Sequence, residues 1–263
     1  MNSFRDKYKG IEKLVRKIIR KNPSYGYRRI LKALRKEGKI INHKTLKKLL
    51  KISKIKLIRK IRHRRKSGVE VILEELGEHV NLVKKLDVIE LFQVVFGDIT
   101  QIVYGNGKGV TWLMVYLEAV SKKVLGYRVG DATTRNVLVA YRIARNFLKR
   151  RGVKLNKVYF HQDQGSQFTS YNYIGELIRD GVNISFSRKG HFEDNAEMES
   201  FYGRFKEEVR DELYEVKIFD EVKKVVKEKI LYYNKDRIHS SLGDFSPDEF
   251  IKIHQNKRVK NHS

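Results

Sequence analysis

The side chains best placed to do chemistry in this 263-residue chain are carboxylates in apolar company. Asp98 stands inside the run Val94-Val95-Phe96-Gly97-Asp98-Ile99-Thr100-Gln101-Ile102-Val103, where a lone buried carboxylate is costly unless a cation or hydrogen-bond donors meet it. Asp163 lies in His161-Gln162-Asp163-Gln164-Gly165-Ser166-Gln167-Phe168, and Glu199 follows it after 35 intervening residues in Asp194-Asn195-Ala196-Glu197-Met198-Glu199-Ser200-Phe201. Three such acids suggest a site for divalent metal. Cysteine is absent, leaving carboxylates and histidines as the strong ligands, and an oxygen-only set favours Mg²⁺ or Mn²⁺. Two such ions can clamp the attacking and leaving oxygens of a phosphodiester displacement. His161 and His191 lack further ligand spacing and read as hydrogen-bonding or packing residues.

Five glutamates compete for the third position: Glu193, Glu197, Glu199, Glu207 and Glu208. A helix is expected to start at Asn195, with Asp194-Asn195-Ala196-Glu197 in the form of a capping box that would occupy Glu197 at its N-terminus. Glu197 would then point about 200° around from Glu199, which falls in the second turn. Met198, Phe201 and Phe205 mark the buried stripe. Glu199 and Lys206, seven residues apart, share a flanking stripe that can face a cleft, and Lys206 is placed to hold a phosphate there.

Taken together, Gly97-Asp98-Ile99-Thr100, the 161–168 and 194–201 stretches, Ser187-Arg188-Lys189-Gly190 and Tyr233-Asn234-Lys235-Asp236-Arg237-Ile238-His239-Ser240-Ser241-Leu242-Gly243 resemble, in order and spacing, the insertion-sequence transposases. That family's catalytic core carries an Asp, Asp, Glu triad and is related to retroviral integrase. The resemblance runs from about 25 to 251 and is to the second-reading-frame protein of two-frame elements. It implies that Asp98, Asp163 and Glu199 are both catalytic and metal-binding, that Mg²⁺ or Mn²⁺, as two ions, is the cofactor, and that Lys206 contacts DNA. It further implies two steps at one site: water frees a 3′-hydroxyl at an element end, and that hydroxyl attacks another phosphodiester. The partners implied are element-end and target DNA, other copies of the chain on that DNA, and a first-frame protein joined by frameshifting. Three positions depart from the family pattern: Val95 for tryptophan, Gln164 for arginine, which affects one phosphate contact, and Ile238 for proline.

The charge of the chain points the same way. Net charge is +26, and residues 1–67 hold 26 Lys and Arg against Asp6, Glu12 and Glu37, giving +23. A one-signed block of this density is the electrostatic footprint of a nucleic-acid binder rather than of a solvated surface. No apolar run is long enough to span a membrane and the N-terminus lacks a signal-peptide core, so a cytoplasmic, nucleoid-associated protein without membrane contact is expected.

The elements that must position these residues follow from periodicity. Phe4, Tyr8, Ile11, Leu14, Val15, Ile18 and Ile19 predict one helix ending at Asn22-Pro23. A second spans 27 to about 37 before Gly38, and a third opens at Asn42 as N-cap and buries Leu46, Leu49 and Leu50. This is a helix-turn-helix whose third helix would face DNA through Lys44, Lys47 and Lys48, with Arg28 and Arg29 at the entry to the second. A basic linker covers 51–66, and 70–91 gives no clean period. Strands are expected at 94–103, 110–118 and 123–129, with the 105–109 glycine-rich turn closing a hairpin. A helix at 133–150, a strand at 158–160, a helix near 170–180 and a strand at 184–187 follow. Strand-helix alternation after a meander predicts an α/β mixed sheet; the ribonuclease-H-like name comes from the resemblance. Later, 220–233 reads as a helix and Ser246-Pro247-Asp248-Glu249 as a capping box. The organisation expected is 1–67 basic helix-turn-helix region and linker, 68–92 connecting segment, 93–214 catalytic core, and 215–263 helical extension. Two other functions fit parts of the pattern: a ribonuclease-H-type nuclease that only hydrolyses, and a DNA-binding regulator whose acids are dispensable.

Overall fold

The structure, a computed structural model, describes residues 3–57, 67–87 and 89–260; most of the expected basic linker, 58–66, lies outside the described residues. The chain divides into two units, residues 1–65 and 66–263. In the first, α1 (Ser3–Lys7) and α2 (Lys9–Lys21) replace the single helix expected, because Tyr8 leaves helical geometry at φ −108°, ψ 16°. α3 (Tyr27–Lys36) stops before Gly38 at φ +71°, a left-handed conformation open to glycine. α4 (His43–Ile52) starts where expected, with the Asn42 side chain accepting from the Lys44 N–H at 2.9 Å. Val15, Ile18, Ile30, Leu34, Leu46 and Leu50 form the core of this small helical unit. Buried Glu12 takes the Arg16 guanidinium, which also donates to the Ser53 carbonyl at 3.2 Å and so ties α2 to the end of α4.

The second unit opens with α5 (Gly68–Leu76), capped by a Ser67–Glu70 capping box. Two short 3₁₀ turns, Gly77–Val80 and Val83–Lys85, follow. This succession of short elements explains why 70–91 showed no period. Then come β1 (Val94–Tyr104), β2 (Gly109–Glu118) and β3 (Val124–Gly130), the antiparallel meander expected. After α6 (Thr134–Arg150), β4 (Tyr159–Gln162), α7 (Tyr171–Asp180) and β5 (Asn183–Phe186), the sheet has order β3-β2-β1-β4-β5, with β4 and β5 parallel to β1. This is the mixed α/β sheet of the ribonuclease-H-like class.

The sheet is covered on both faces because its alternating residues are apolar both ways. Val95, Met114 and Tyr116 pack with α6 and α7; Val94, Phe96 and Val115 pack with α8 (Ala196–Glu215) and α9 (Phe219–Lys235). α10 (Pro247–Lys260) closes the chain and carries the capping box expected, with Ser246 N–H donating to Glu249 at 2.9 Å. The Tyr233–His239 motif helps to lock α8 in place. Tyr233 meets the Phe201 ring edge-on at 5.1 Å, Arg237 pairs with Glu208 at 2.6 Å, and Asn234 bonds both main-chain groups of Val124.

Candidate catalytic site

Two of the three acids are placed by strand register. β1 and β4 run parallel with Phe96 opposite His161 and Gly97 opposite Gln162, so Asp98 and Asp163 follow as the next residues of the two neighbouring strands. Phe96 packs toward α8, and period-two alternation turns Asp98 the same way. Gly97 between them is forced: a Cβ there would lie 2.7 Å from the Tyr116 ring. Glu199 comes from the end of the first turn of α8 rather than the second, because the helix begins one residue later than expected, at Ala196. All three line one cleft of 350 Å³ together with Gln164, Arg188, His191 and Asn195.

The electrostatics show that the acids feel one another. Burial, and then the negative charges of Asp163 and Glu199, push the Asp98 carboxyl up to about 7, against the Ile99 and Asn195 hydrogen bonds that favour its ionised form. Its Oδ1 accepts from the Ile99 N–H at 2.7 Å and its Oδ2 from the Asn195 amide at 3.0 Å. Burial also raises Asp163, whose Oδ1 accepts from the Gly165 N–H at 3.0 Å. Neighbouring acids are claimed by cations: Asp194 and Glu193 by Arg188, Glu197 by Lys122 and Glu208 by Arg237. Among the described residues, no ion pair holds Asp98, Asp163 or Glu199. Buried Glu118, by contrast, has its oxygens filled by the N–H groups of Phe92, Val120 and Ser121 and is structural.

The donor chemistry therefore fits a divalent cation: three carboxylates open to one cleft, with the buried Asn195 Oδ1 beside them lacking any partner. Among the described residues no three His, Asp or Glu side chains already converge as a cage; like charges repel and do not gather unaided.

Several expectations need correction. The capping box at 194–197 does not form. Asp194 instead accepts from the main chain and guanidinium of Arg188 at 2.9 Å, which holds its carboxyl far below the usual range, and Glu197 reaches Lys122 at 2.8 Å. A tertiary arginine outcompetes the local cap. Lys206 is exposed but lines a separate groove with Gln101, Tyr104, Asn106 and Arg210, outside the cleft of the acids. Gln164 donates to the Ser187 carbonyl at 3.0 Å, an internal bridge where the family pattern has a cation. His161 is a packing residue: burial holds it down at about 4 between Ser185 and Ser187 hydroxyls at 2.8 and 3.1 Å. The sequence reading missed Asn195 and Tyr202, whose hydroxyl donates to the Asp98 carbonyl at 2.7 Å. Tyr202 carries no sequence signal beyond helical spacing from Glu199, and Asn195 stands only as the expected helix start.

In the helical unit, Lys44, Lys47 and Lys48 are exposed at i, i+3 and i+4 of α4. Lys47 Nζ lies 4.5 Å from the Tyr27 ring centroid and Lys48 Nζ 4.6 Å from that of Phe4. Arg28 and Arg29 line a cavity of 630 Å³ at the start of α3. The Arg28 guanidinium bonds the Tyr27 hydroxyl at 3.3 Å and, ahead of Lys47, lowers its phenol.

Comparison with known proteins gives a consistent result. Profiles described as integrase core domain match residues 90–191 and 180–247, and one described as HTH-like domain matches 6–66. The InsK protein of insertion sequence element IS150 from Escherichia coli strain K12 is 30% identical over 93% of this chain and 84% of its own length. The transposase for insertion sequence element IS904 from Lactococcus lactis is 31% identical over 87% of each chain. Among solved structures, the HTLV-2 integrase catalytic core domain in complex with magnesium covers 60% of this chain and 95% of its own, at 14% identity and a TM-score of 0.48. No helix of the described residues is long and apolar enough to cross a membrane.

Proposed function

Since the chain belongs to the insertion-sequence transposases with an integrase core domain, we propose that Asp98, Asp163 and Glu199 are the catalytic acids with which it cleaves element ends and joins them to DNA. The observation that carries this reading is the cleft that three carboxylates line together, with no cation among the described residues paired to any of them. Mg²⁺ or Mn²⁺ held by these three would neutralise the charge developing on a scissile phosphate and activate the attacking oxygen. The chain's own contribution is positional. The β1–β4 ladder fixes Asp98 beside Asp163, donors from Ile99 and Gly165 aim one oxygen of each, and α8 brings Glu199 to the same cleft.

Binding is assigned to the helical unit. Lys44, Lys47, Lys48, Arg28 and Arg29 are its proposed DNA contacts, and Lys206 a proposed contact of the core to DNA leaving the cleft. A cytoplasmic protein that works as several copies on DNA, alone or fused to a first-frame product, follows from the same reading. The test is Mg²⁺-dependent cleavage and strand joining on DNA carrying the element ends. Asp163→Asn and Glu199→Gln should each lose both steps while binding the same DNA as the unchanged chain. Joining retained by either variant removes that residue from the site; hydrolysis without joining by the unchanged chain would favour a nuclease.

A further inference from the structure

Glu199 and Tyr202 lie three residues apart on one edge of α8, within about 60° of arc, and Asn195 precedes Glu199 by four residues at the start of the helix. The outer two both hold Asp98. Asn195 donates its side-chain amide to the Asp98 carboxylate at 3.0 Å, and Tyr202 donates its hydroxyl to the Asp98 carbonyl at 2.7 Å and the Leu113 carbonyl at 3.3 Å. Glu199 lies between the two contacts. Asn195 is also the N-cap residue of α8, yet its side chain caps nothing. Asparagine is among the strongest N-caps, so this side chain has left a stabilising local role for a contact with a residue 97 positions away. Its Oδ1 is buried without a partner at the wall of the cleft.

We infer that Asn195 and Tyr202 are positioning residues, a two-point brace that fixes the first acid against the third and so sets the spacing of the cation site. Neither residue need touch DNA. Asn195 orients the Asp98 carboxylate so that its remaining lone pairs face the cleft, and Tyr202 anchors the strand beneath it. Outer-shell partners of this kind commonly change metal affinity by about 10- to 100-fold when removed. The inference rests on the reading of Asp98 as a cation ligand, and its test separates the two.

The experiment titrates Mn²⁺ into the full-length protein without DNA, following binding by calorimetry and by the spectrum of free Mn²⁺. It compares the unchanged chain with Asp98→Asn, Asn195→Ala and Tyr202→Phe, with thermal melting recorded for each. The brace predicts that Asn195→Ala weakens Mn²⁺ binding about 10-fold or more, that Tyr202→Phe weakens it in the same direction, and that both melt cooperatively. Tyr202→Phe keeps the ring and its packing, so it tests the brace even if Asn195→Ala folds poorly. Weakened binding in Asp98→Asn with unchanged affinity in both well-folded brace variants would overturn the brace and leave the site standing. Unchanged affinity in Asp98→Asn would overturn the reading of the site itself.

Discussion

Asp98 makes the metal-free protein sensitive to pH in a calculable way. Its carboxyl moves from 3.8 in the unfolded chain to about 7 in the folded one, so the folded state holds the proton more tightly. Stability from this group is therefore fully present below the unfolded value and is lost as pH rises through 7. At 1.36 kcal/mol per unit, the loss is about 2 kcal/mol at pH 5 and about 4 kcal/mol at pH 8.5. Asp98→Asn has no proton to lose, and its amide keeps an oxygen for the Ile99 N–H. Relative to the unchanged chain, the variant should gain about 2 kcal/mol between pH 5 and pH 8.5. The single tryptophan, Trp112, lies in β2 and reports the catalytic unit alone. Urea unfolding followed by its fluorescence, in chelator, at the two pH values measures the difference. A constant gap between variant and unchanged chain across this range would refute the argument. Mg²⁺ added at pH 8.5 should recover stability in the unchanged chain and not in the variant.

Three further outcomes are expected. DNA binding should be steeply salt-dependent, losing about 10³ to 10⁵ in affinity between 50 and 200 mM salt if six to ten phosphates are contacted; fluorescence anisotropy with and without residues 1–65 measures it, and the shortened chain should bind weakly at all salt concentrations. Glu197→Gln removes only a part-exposed pair with Lys122, so it should cost at most about 1 kcal/mol of stability and keep cleavage and joining. Gly97→Ala should destabilise the catalytic unit by about 1 to 3 kcal/mol in urea unfolding, because its methyl group would press on the buried Tyr116 ring.

The parts of the fold that local pattern dictates were legible in the sequence. Asn42 and Ser246 announce helices whose caps are observed, the 105–109 turn announces a hairpin, and β1 reads as apolar on both faces because helices cover both. The acids were legible as candidates because a carboxylate amid Val, Phe and Ile is chemically conspicuous. What could not be read are the contacts that only folding creates. Asp194 carries a sound local signal for a cap, and the signal fails because Arg188 offers a guanidinium six residues away in a β-to-α loop. Asn195 reads only as the start of a helix, while its partner is a strand residue far up the chain. Lys206 shares the helix stripe of Glu199, but two turns carry it past the cleft and beside the hairpin of β1 and β2.

The ladder between β1 and β4 also decides which changes of chain length the molecule can survive. Asp98 and Asp163 are adjacent because their strands pair in one register, not because of the length of what joins them. The tip of the hairpin at 105–108 and the turn at 151–157 can therefore gain or lose residues without separating the acids. One residue deleted between Val94 and Asp98, or between Tyr159 and Asp163, would instead turn a carboxylate through the sheet to the face of α6 and α7. Drift among copies of such an element should accordingly leave insertions and deletions in those two connections and almost none in residues 94–98 and 159–163, which carry the register.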